Sequence, residues 1–226
     1  MKSSGRARAL IAMVVLCACA SARAMGGHFV VDDASLVDPG EWEQETWYSR
    51  SPDGAQLLHA GVNVRVGPVE INGAAERTRG AGDPSATTWN LELKWARPVS
   101  ERLSVGLDLQ PAWVTQPSTR YAVTHFYGIA TWKFDDDLLL HLNAGRDWVV
   151  RDRDFASGGI ALEWQPLERW TLIGERYLQA GTQFFRAGGR WSPSPHWSWD
   201  LSYGKRLAGP GASTWTFGLN YHSDGH

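Results

Sequence analysis

Cysteine is nearly absent from this chain of 226 residues, because its two cysteines, Cys17 and Cys19, both lie in the first two dozen residues. If that segment is removed during export, the remaining chain has no thiol. This excludes a disulfide framework, a cysteine metal site and a cysteine nucleophile. It also makes an oxidising compartment harmless to the protein.

Long apolar runs are equally scarce. The longest covers residues 9–20 after a basic start, is too short to span a bilayer as a stable helix, and precedes Ala22-Arg23-Ala24. This arrangement is typical of a secretory signal peptide over residues 1–24, with a mature chain beginning at Met25. Leu16-Cys17-Ala18-Cys19 leaves one alternative open, cleavage as a lipoprotein with an acylated Cys19.

An excess of positive charge is also missing. Removing residues 1–24 takes away four basic residues and no acidic one, so the mature chain has more acids than bases. Without a basic cluster to neutralise phosphates, we expect no nucleic-acid partner. The chain carries no phosphate-binding loop, dinucleotide fingerprint or metalloprotease motif, so we predict no cofactor and no metal site. Asp32-Asp33 and the run 135–137 are interpreted as a solvated approach segment and a solvated turn rather than as a Ca²⁺ cage.

Tryptophan, in contrast, is abundant, with 13 copies placed mostly near the ends of short alternating segments. Aromatic rings at both headgroup levels form the two girdles of an outer-membrane barrel. The set beside the polar loops with Gly or Pro is Trp89, Trp113, Trp148 and Trp215. The set beside the tighter turns is Trp95, Trp132, Trp164, Trp170, Trp191, Trp197 and Trp199.

Alternation with a period of two residues gives about twelve candidate strands between residues 41 and 222. It is clear around Leu107 and Leu109, which share one parity, whereas Asp108 and Gln110 share the other. We therefore predict an all-β fold, an antiparallel up-and-down transmembrane β-barrel of about 12 strands. The barrel must close, because an open edge in hydrocarbon leaves backbone groups unpaired. A soluble β-sandwich is the alternative, and the sixth and ninth strands have ambiguous parity.

An even strand count places both termini in the periplasm. Residues 25–40 are accordingly predicted to be a periplasmic N-terminal segment, and residues 223–226 a short C-terminal tail.

Two short segments at the start of the mature chain resemble a known family. Phe29-Val30-Val31-Asp32-Asp33 and the later Gly40-Glu41-Trp42-Glu43-Gln44-Glu45 are similar to the opening of outer-membrane transporters labelled as meta-pathway phenol-degradation proteins. The local resemblance covers about twenty residues, and the repeated hairpins extend it in architecture. It implies an outer-membrane β-barrel with a transport role and brings no catalytic residues.

The last strand resembles a sorting signal. Thr216, Gly218 and Tyr221 match the pattern that the barrel-assembly machinery recognises in a C-terminal strand. The expected partners are therefore this machinery during biogenesis and outer-membrane lipid afterwards, and the expected location is the bacterial outer membrane.

Inward parity collects charges of both signs. The predicted lumen-lining residues are His59, Arg65, Glu70, Glu92, Lys94, Asp108, His141, Glu163, Arg186, Arg190 and Asp200. A strongly ion-selective pore would show a ring or track of one sign. Two interpretations remain, a self-neutralised plug without transport and a narrow polar channel for passive passage of small molecules. We favour the channel. Across the tenth and eleventh strands, we expect Arg190 to pair near Ser198, with Asp200 in diagonal reach.

A lipid-modifying barrel enzyme is the third possibility. It needs a Ser and a His on one face near the headgroups. His196 and Ser198 have a suitable spacing, but no third group that would orient the histidine is evident. We therefore predict that the protein is not an enzyme and has no catalytic residues.

Overall fold

The computed structural model describes residues 27–80 and 84–225, and this part of the chain forms twelve antiparallel strands. The signal peptide and its cleavage site lie outside these residues. The strands are β1 (Trp42–Arg50), β2 (Gln56–Val66), β3 (Val69–Arg79), β4 (Ala86–Pro98), β5 (Leu103–Thr115), β6 (Thr119–Lys133), β7 (Leu138–Val149), β8 (Phe155–Leu167), β9 (Trp170–Gln179), β10 (Thr182–Trp191), β11 (Trp197–Ala208) and β12 (Thr214–His222).

Each strand pairs with its sequence neighbours, and β1 pairs with β12 to close the barrel. The closing seam runs from Glu43 opposite His222 to Arg50 opposite Trp215. Closure gives every strand two partners, so no row of unpaired N–H and C=O groups remains at an edge. The predicted fold, a closed barrel of twelve antiparallel strands, is confirmed.

Alternate side chains of each strand face the inside and the outside of the barrel. In β5, Leu107 is 47% exposed and Leu109 37%, whereas Asp108 between them is 1% exposed. A period of two is what a strand with two different environments requires. The exposed outer surface of the barrel is therefore largely apolar and its interior largely polar, the reverse of a soluble barrel.

The connections lie at two ends of the barrel. We call the end that carries the start of β1 and the end of β12 the terminal end, and the other the loop end. A tight turn at Gly67, with a φ of 61°, joins β2 to β3 at the terminal end. Glycine adopts this left-handed conformation without the penalty that other residues meet. Among the described residues, none belongs to a helix long and apolar enough to cross a membrane.

Residues 27–37 do not lie outside the barrel, where we expected a periplasmic segment. Val31 is 0% exposed, and His28, Phe29, Asp33 and Ala34 are also buried, all against inward-facing side chains of the wall. The alternation within strands describes only the wall, and a segment without regular structure has no such pattern. We call residues 27–37 the N-terminal plug. Residues 38–40 are exposed and lead from it to β1.

Candidate functional site

An apolar contact fixes the middle of the plug. Phe29 and Val31 form a buried cluster with Ala161 of β8 and with Ile173 and Tyr177 of β9. These wall residues have inward parity, which explains why the alternation of β9 was ambiguous in the sequence: both faces of this strand carry apolar side chains. Burying Val31 here removes an apolar side chain from water and stabilises the plugged arrangement by about 1.5 kcal/mol or more.

Glu175 of β9 holds the same part of the plug through its main chain. Its carboxylate accepts hydrogen bonds from the N–H groups of Val30 at 3.0 Å and Val31 at 2.9 Å. Arg186 of β10 approaches the other carboxylate oxygen at 3.2 Å. The guanidinium also donates to the carbonyl of His28 and to the hydroxyl of Tyr177. One buried ion pair of the wall thus satisfies main-chain groups of the plug that would otherwise be unpaired.

His28 is a buried titratable group of the plug. Its Nε2 lies 2.6 Å from the hydroxyl of Ser202, and its Nδ1 lies 3.9 Å from a carboxylate oxygen of Asp200. Burial and the positive charge of Arg186 lower the pKa of His28 to about 3, although Asp200 opposes this effect. The imidazole is therefore neutral at physiological pH.

Next to His28, Arg190 and Asp200 form a bidentate ion pair. Arg190 Nε lies 2.7 Å from Asp200 Oδ1, and Arg190 Nη2 lies 3.0 Å from Asp200 Oδ2. The two residues are direct partners in the β10–β11 register. The expected pairing of Arg190 near Ser198 is therefore wrong by two residues. Trp191 pairs with Trp199, so the connecting loop extends beyond Ser192–Pro195 and shifts the register. Asn220 of β12 donates to the same Asp200 carboxylate at 2.9 Å.

Lys94 of β4 binds the acidic pair of the plug. Its Nζ lies 2.7 Å from Asp32 and 3.5 Å from Asp33, and Asp33 is only 5% exposed. The expectation that Asp32-Asp33 is a solvated approach segment is thus wrong, because these carboxylates meet a buried ammonium inside the barrel. The acidic run 135–137, in contrast, forms an exposed turn between β6 and β7, as expected.

The C-terminal part of the plug crosses to the opposite wall. The N–H of Ala34 donates to Thr131 of β6 at 2.8 Å, and the N–H of Val37 donates to Glu70 of β3 at 2.6 Å. Arg65 of β2 donates to the carbonyl of Val37 at 3.4 Å. The plug is therefore attached to several sides of the wall, mainly through hydrogen bonds between its own main chain and wall side chains.

A cavity of about 210 Å³ lies between the plug and the wall, lined mainly by side chains of β1 to β5. Trp47 and His59 form part of its lining, with ring centroids 3.4 Å apart and nearly parallel rings. The wall carboxylates of this cavity are Glu43, Glu45, Glu70, Glu76, Glu92 and Asp108, and Lys94 is its only lysine or arginine among the described residues. The lining of this cavity is therefore acidic, whereas Arg186 and Arg190 lie on β10.

Most residues predicted to line the lumen do face it. Those buried in the structure are His59, Glu70, Lys94, Asp108, His141, Arg186, Arg190 and Asp200. Arg65, Glu92 and Glu163 are only half-buried, and His141 Nε2 lies 3.4 Å from the Glu163 carboxylate. Whether these side chains contact a passing solute stays a prediction.

Sequence reasoning missed several residues of the site. The contributors that it overlooked are Trp47, Glu43, Glu45, Glu175, Tyr177, Ser202 and Asn220. Their inward parity in β1, β9, β11 and β12 could have found most of them, but the plug that they bind has no signal of its own.

The tryptophans of the proposed girdles are on the outside of the barrel. Those with 40% to 57% exposure are Trp89, Trp132, Trp148, Trp164, Trp170, Trp191, Trp197, Trp199 and Trp215, and Trp42 at 41% joins them. Trp95 and Trp113 are half-buried. In the predicted girdles, Trp95 belongs to the set beside the tighter turns and Trp113 to the set beside the polar loops. Contact of these rings with lipid headgroups stays a prediction.

His196 and Ser198 do not form a catalytic pair in the structure. His196 Nδ1 lies 3.1 Å from the carbonyl of His222, and the hydroxyl of Ser198, which is 2% exposed, accepts a hydrogen bond from Asn220. Each side chain thus has a structural partner of its own, and Ser198 faces the lumen rather than lipid.

A family model matches nearly the whole chain. The family is described as "Uncharacterised conserved protein UCP029691", and its model covers residues 12–222. The chain belongs to this family. No curated protein matches the chain. The N-terminal segments resemble transporters labelled as meta-pathway phenol-degradation proteins, but the description of this family does not carry that label. The phenol-degradation assignment therefore stays a prediction.

Solved structures share the barrel at low sequence identity. A KdgM porin has a TM-score of 0.63 at 10% identity, with 79% of this chain and 98% of that chain covered. The COG4313 outer membrane channel from Pseudomonas putida F1 has a TM-score of 0.56 at 11% identity, covering 84% and 97%. The Ralstonia pickettii toluene transporter TbuX has a TM-score of 0.51 at 10% identity, covering 85% and 92%. This chain therefore has the fold of outer-membrane porins and transporters.

Proposed function

We propose that this protein is a channel of the bacterial outer membrane that passes small molecules passively when its N-terminal plug leaves the lumen. It is not an enzyme in this proposal. The observation that carries it is that residues 27–37, rather than wall side chains alone, fill the lumen. A separate segment can leave while every strand keeps both of its partners.

The attachments of the plug support a removable closure. Its polar contacts are hydrogen bonds and ion pairs to single wall side chains, namely Glu45, Arg65, Glu70, Lys94, Thr131, Glu175, Arg186 and Ser202. A net hydrogen bond contributes about 1 kcal/mol, so each contact can be exchanged for water at a small cost, and opening of the plug requires no change in the strand pairs. The porin and transporter structures that share the fold add general support for a channel.

The second candidate is a permanently plugged structural barrel. Two buried ion pairs favour it, Arg190 with Asp200 and Arg186 with Glu175, because breaking such pairs leaves an uncompensated charge. Both pairs join wall residues to each other, however, and both survive when the plug departs. They therefore stabilise the wall in either candidate.

Conductance of the refolded barrel in planar bilayers separates the two candidates. We expect rare openings for the wild-type protein and frequent openings for a variant without residues 27–37. Val31→Asp should act in the same direction, because it places a carboxylate among Ala161, Ile173 and Tyr177. Pro39→Asp is the matched control, since Pro39 is exposed. A folded barrel that lacks the plug and still does not conduct would show that the protein is a structural barrel.

A further inference from the structure

Three carboxylates meet where the plug contacts strands β4 and β5. Asp32 of the plug, Glu92 of β4 and Asp108 of β5 each offer an oxygen, and these oxygens lie within 4.8 Å of one another. Lys94 pairs with Asp32 and Asp33 and can neutralise only one carboxylate of the group. Three ionised carboxylates at this spacing repel one another, and a proton or a cation bound among them relieves this repulsion.

Unpartnered oxygens face the same cavity. Asp108 is 1% exposed, and its Oδ1 has no hydrogen-bond partner among the described residues, whereas its Oδ2 accepts from Gln110 at 2.6 Å. The amide oxygen of Asn143, a residue that is 8% exposed and lines the cavity, also lacks a partner in the described part of the chain. A buried acceptor without a donor is costly, so these oxygens require a donor or a cation in the cavity.

We propose that Asp32, Glu92 and Asp108 bind a divalent cation, Ca²⁺ or Mg²⁺, with water completing its coordination. Carboxylate and amide oxygens are the ligands that these hard cations prefer. The cavity of about 210 Å³ has room for several water molecules at about 30 Å³ each. Waters of the ion can donate to the amide oxygen of Asn143, which lines the same cavity.

The origin of the three ligands gives the ion a role. Asp32 belongs to the plug, whereas Glu92 and Asp108 belong to the wall. A bound divalent ion therefore ties the plug to β4 and β5. Ion binding and retention of the plug are then thermodynamically linked, because the complete ligand set exists only while the plug is in the lumen.

The test is calorimetric titration of the full processed protein in detergent with CaCl₂ and with MgCl₂, at constant ionic strength set with NaCl. We expect saturable binding of one ion to the wild type. Glu92→Gln should weaken it by about tenfold or more, because it removes one ligand charge. Asp32→Asn should weaken it similarly, which tests the contribution of the plug. Glu76→Gln is the matched control, since Glu76 faces the same cavity but pairs with His59 at 3.0 Å.

Circular dichroism checks the folding of each variant. Glu92→Gln is the primary variant, because Glu92 is half-buried and makes no ion pair within residues 27–80 or 84–225, so that its replacement breaks no existing pair. Absence of saturable binding to the wild type would overturn the proposal. So would equal weakening by Glu76→Gln, or binding that NaCl alone abolishes, because either result would indicate general screening of an acidic lumen.

Discussion

Arg190 and Asp200 face each other directly across the β10–β11 hairpin, inside the barrel and fully paired. The side chain of Asp200 is 0% exposed, and that of Arg190 is 9% exposed. The pair connects the wall to the plug, because Asp200 also lies beside His28. Its loss should therefore affect the stability of the barrel as well as the environment of the plug.

Asp200→Leu should lower the free energy of unfolding by about 3 to 5 kcal/mol, because it leaves the buried Arg190 without its carboxylate. The double variant Arg190→Met with Asp200→Leu should recover most of this loss, since no uncompensated charge remains. Urea unfolding in lipid vesicles measures both. Asp136→Asn, at an exposed turn pair with Lys133, is the control and should leave the unfolding midpoint unchanged. Equal midpoints for wild type and Asp200→Leu would contradict the assigned pair.

Acidification should loosen the plug through His28. Burial and Arg186 lower the pKa of His28 to about 3 in the folded protein, whereas a solvated histidine titrates near 6.5. Between these values, only the unfolded or unplugged state binds the proton. The stability that neutral His28 contributes is thus complete above about pH 6.5 and declines as the pH falls towards 3.

His28→Gln keeps a side-chain group that can hydrogen-bond Ser202 but removes the titration. The difference in unfolding free energy between pH 8 and pH 5 should therefore be smaller for this variant than for the wild type. Asp200, Arg186 and Arg190 surround His28, and Asp200 and Arg190 remain charged across this range because they are paired. An identical pH dependence for both proteins would indicate that another group controls it.

Leu109 lies at the centre of β5 and faces outwards. Leu109→Arg should cost about 2 to 4 kcal/mol, because it places a cation near the midplane of the bilayer. Leu167→Arg at the end of β8 is the matched control and should cost only about 0 to 1 kcal/mol, since the side chain there reaches the interface. Equilibrium folding into vesicles measures both values. The same cost at both positions would show that the apolar band does not follow the strands as described.

Processing of the N-terminus is testable by mass. The motif Ala22-Arg23-Ala24 predicts that protein extracted from membranes starts at an unmodified Met25. Intact mass spectrometry gives the answer. A mass that corresponds to a chain starting at an acylated Cys19 would establish the lipoprotein alternative, and the plug would then continue into a lipid anchor.

The wall of the barrel could be predicted because its signal is local. Each strand alternates between two environments, so residues such as Leu107 and Asp108 reveal the fold without any knowledge of their partners. Twelve such segments and the need to close the sheet were sufficient for the architecture. The register across each hairpin was less secure, because it depends on loop geometry, and the pairing of Arg190 was misjudged for this reason.

By itself, the sequence determined the strands, their inner and outer faces and the polar character of the lumen, because all three follow from the two-residue period. Only the tertiary structure decided what occupies that lumen. Val30 of the plug and Glu175 of β9 are 145 residues apart in the chain, and their contact has no periodic signature. Ile173 and Tyr177 place apolar side chains on the inner face of β9, and this breaks the expected alternation of polar and apolar residues. This inner face is the surface on which Val31 packs, and only the closed barrel brings the two together.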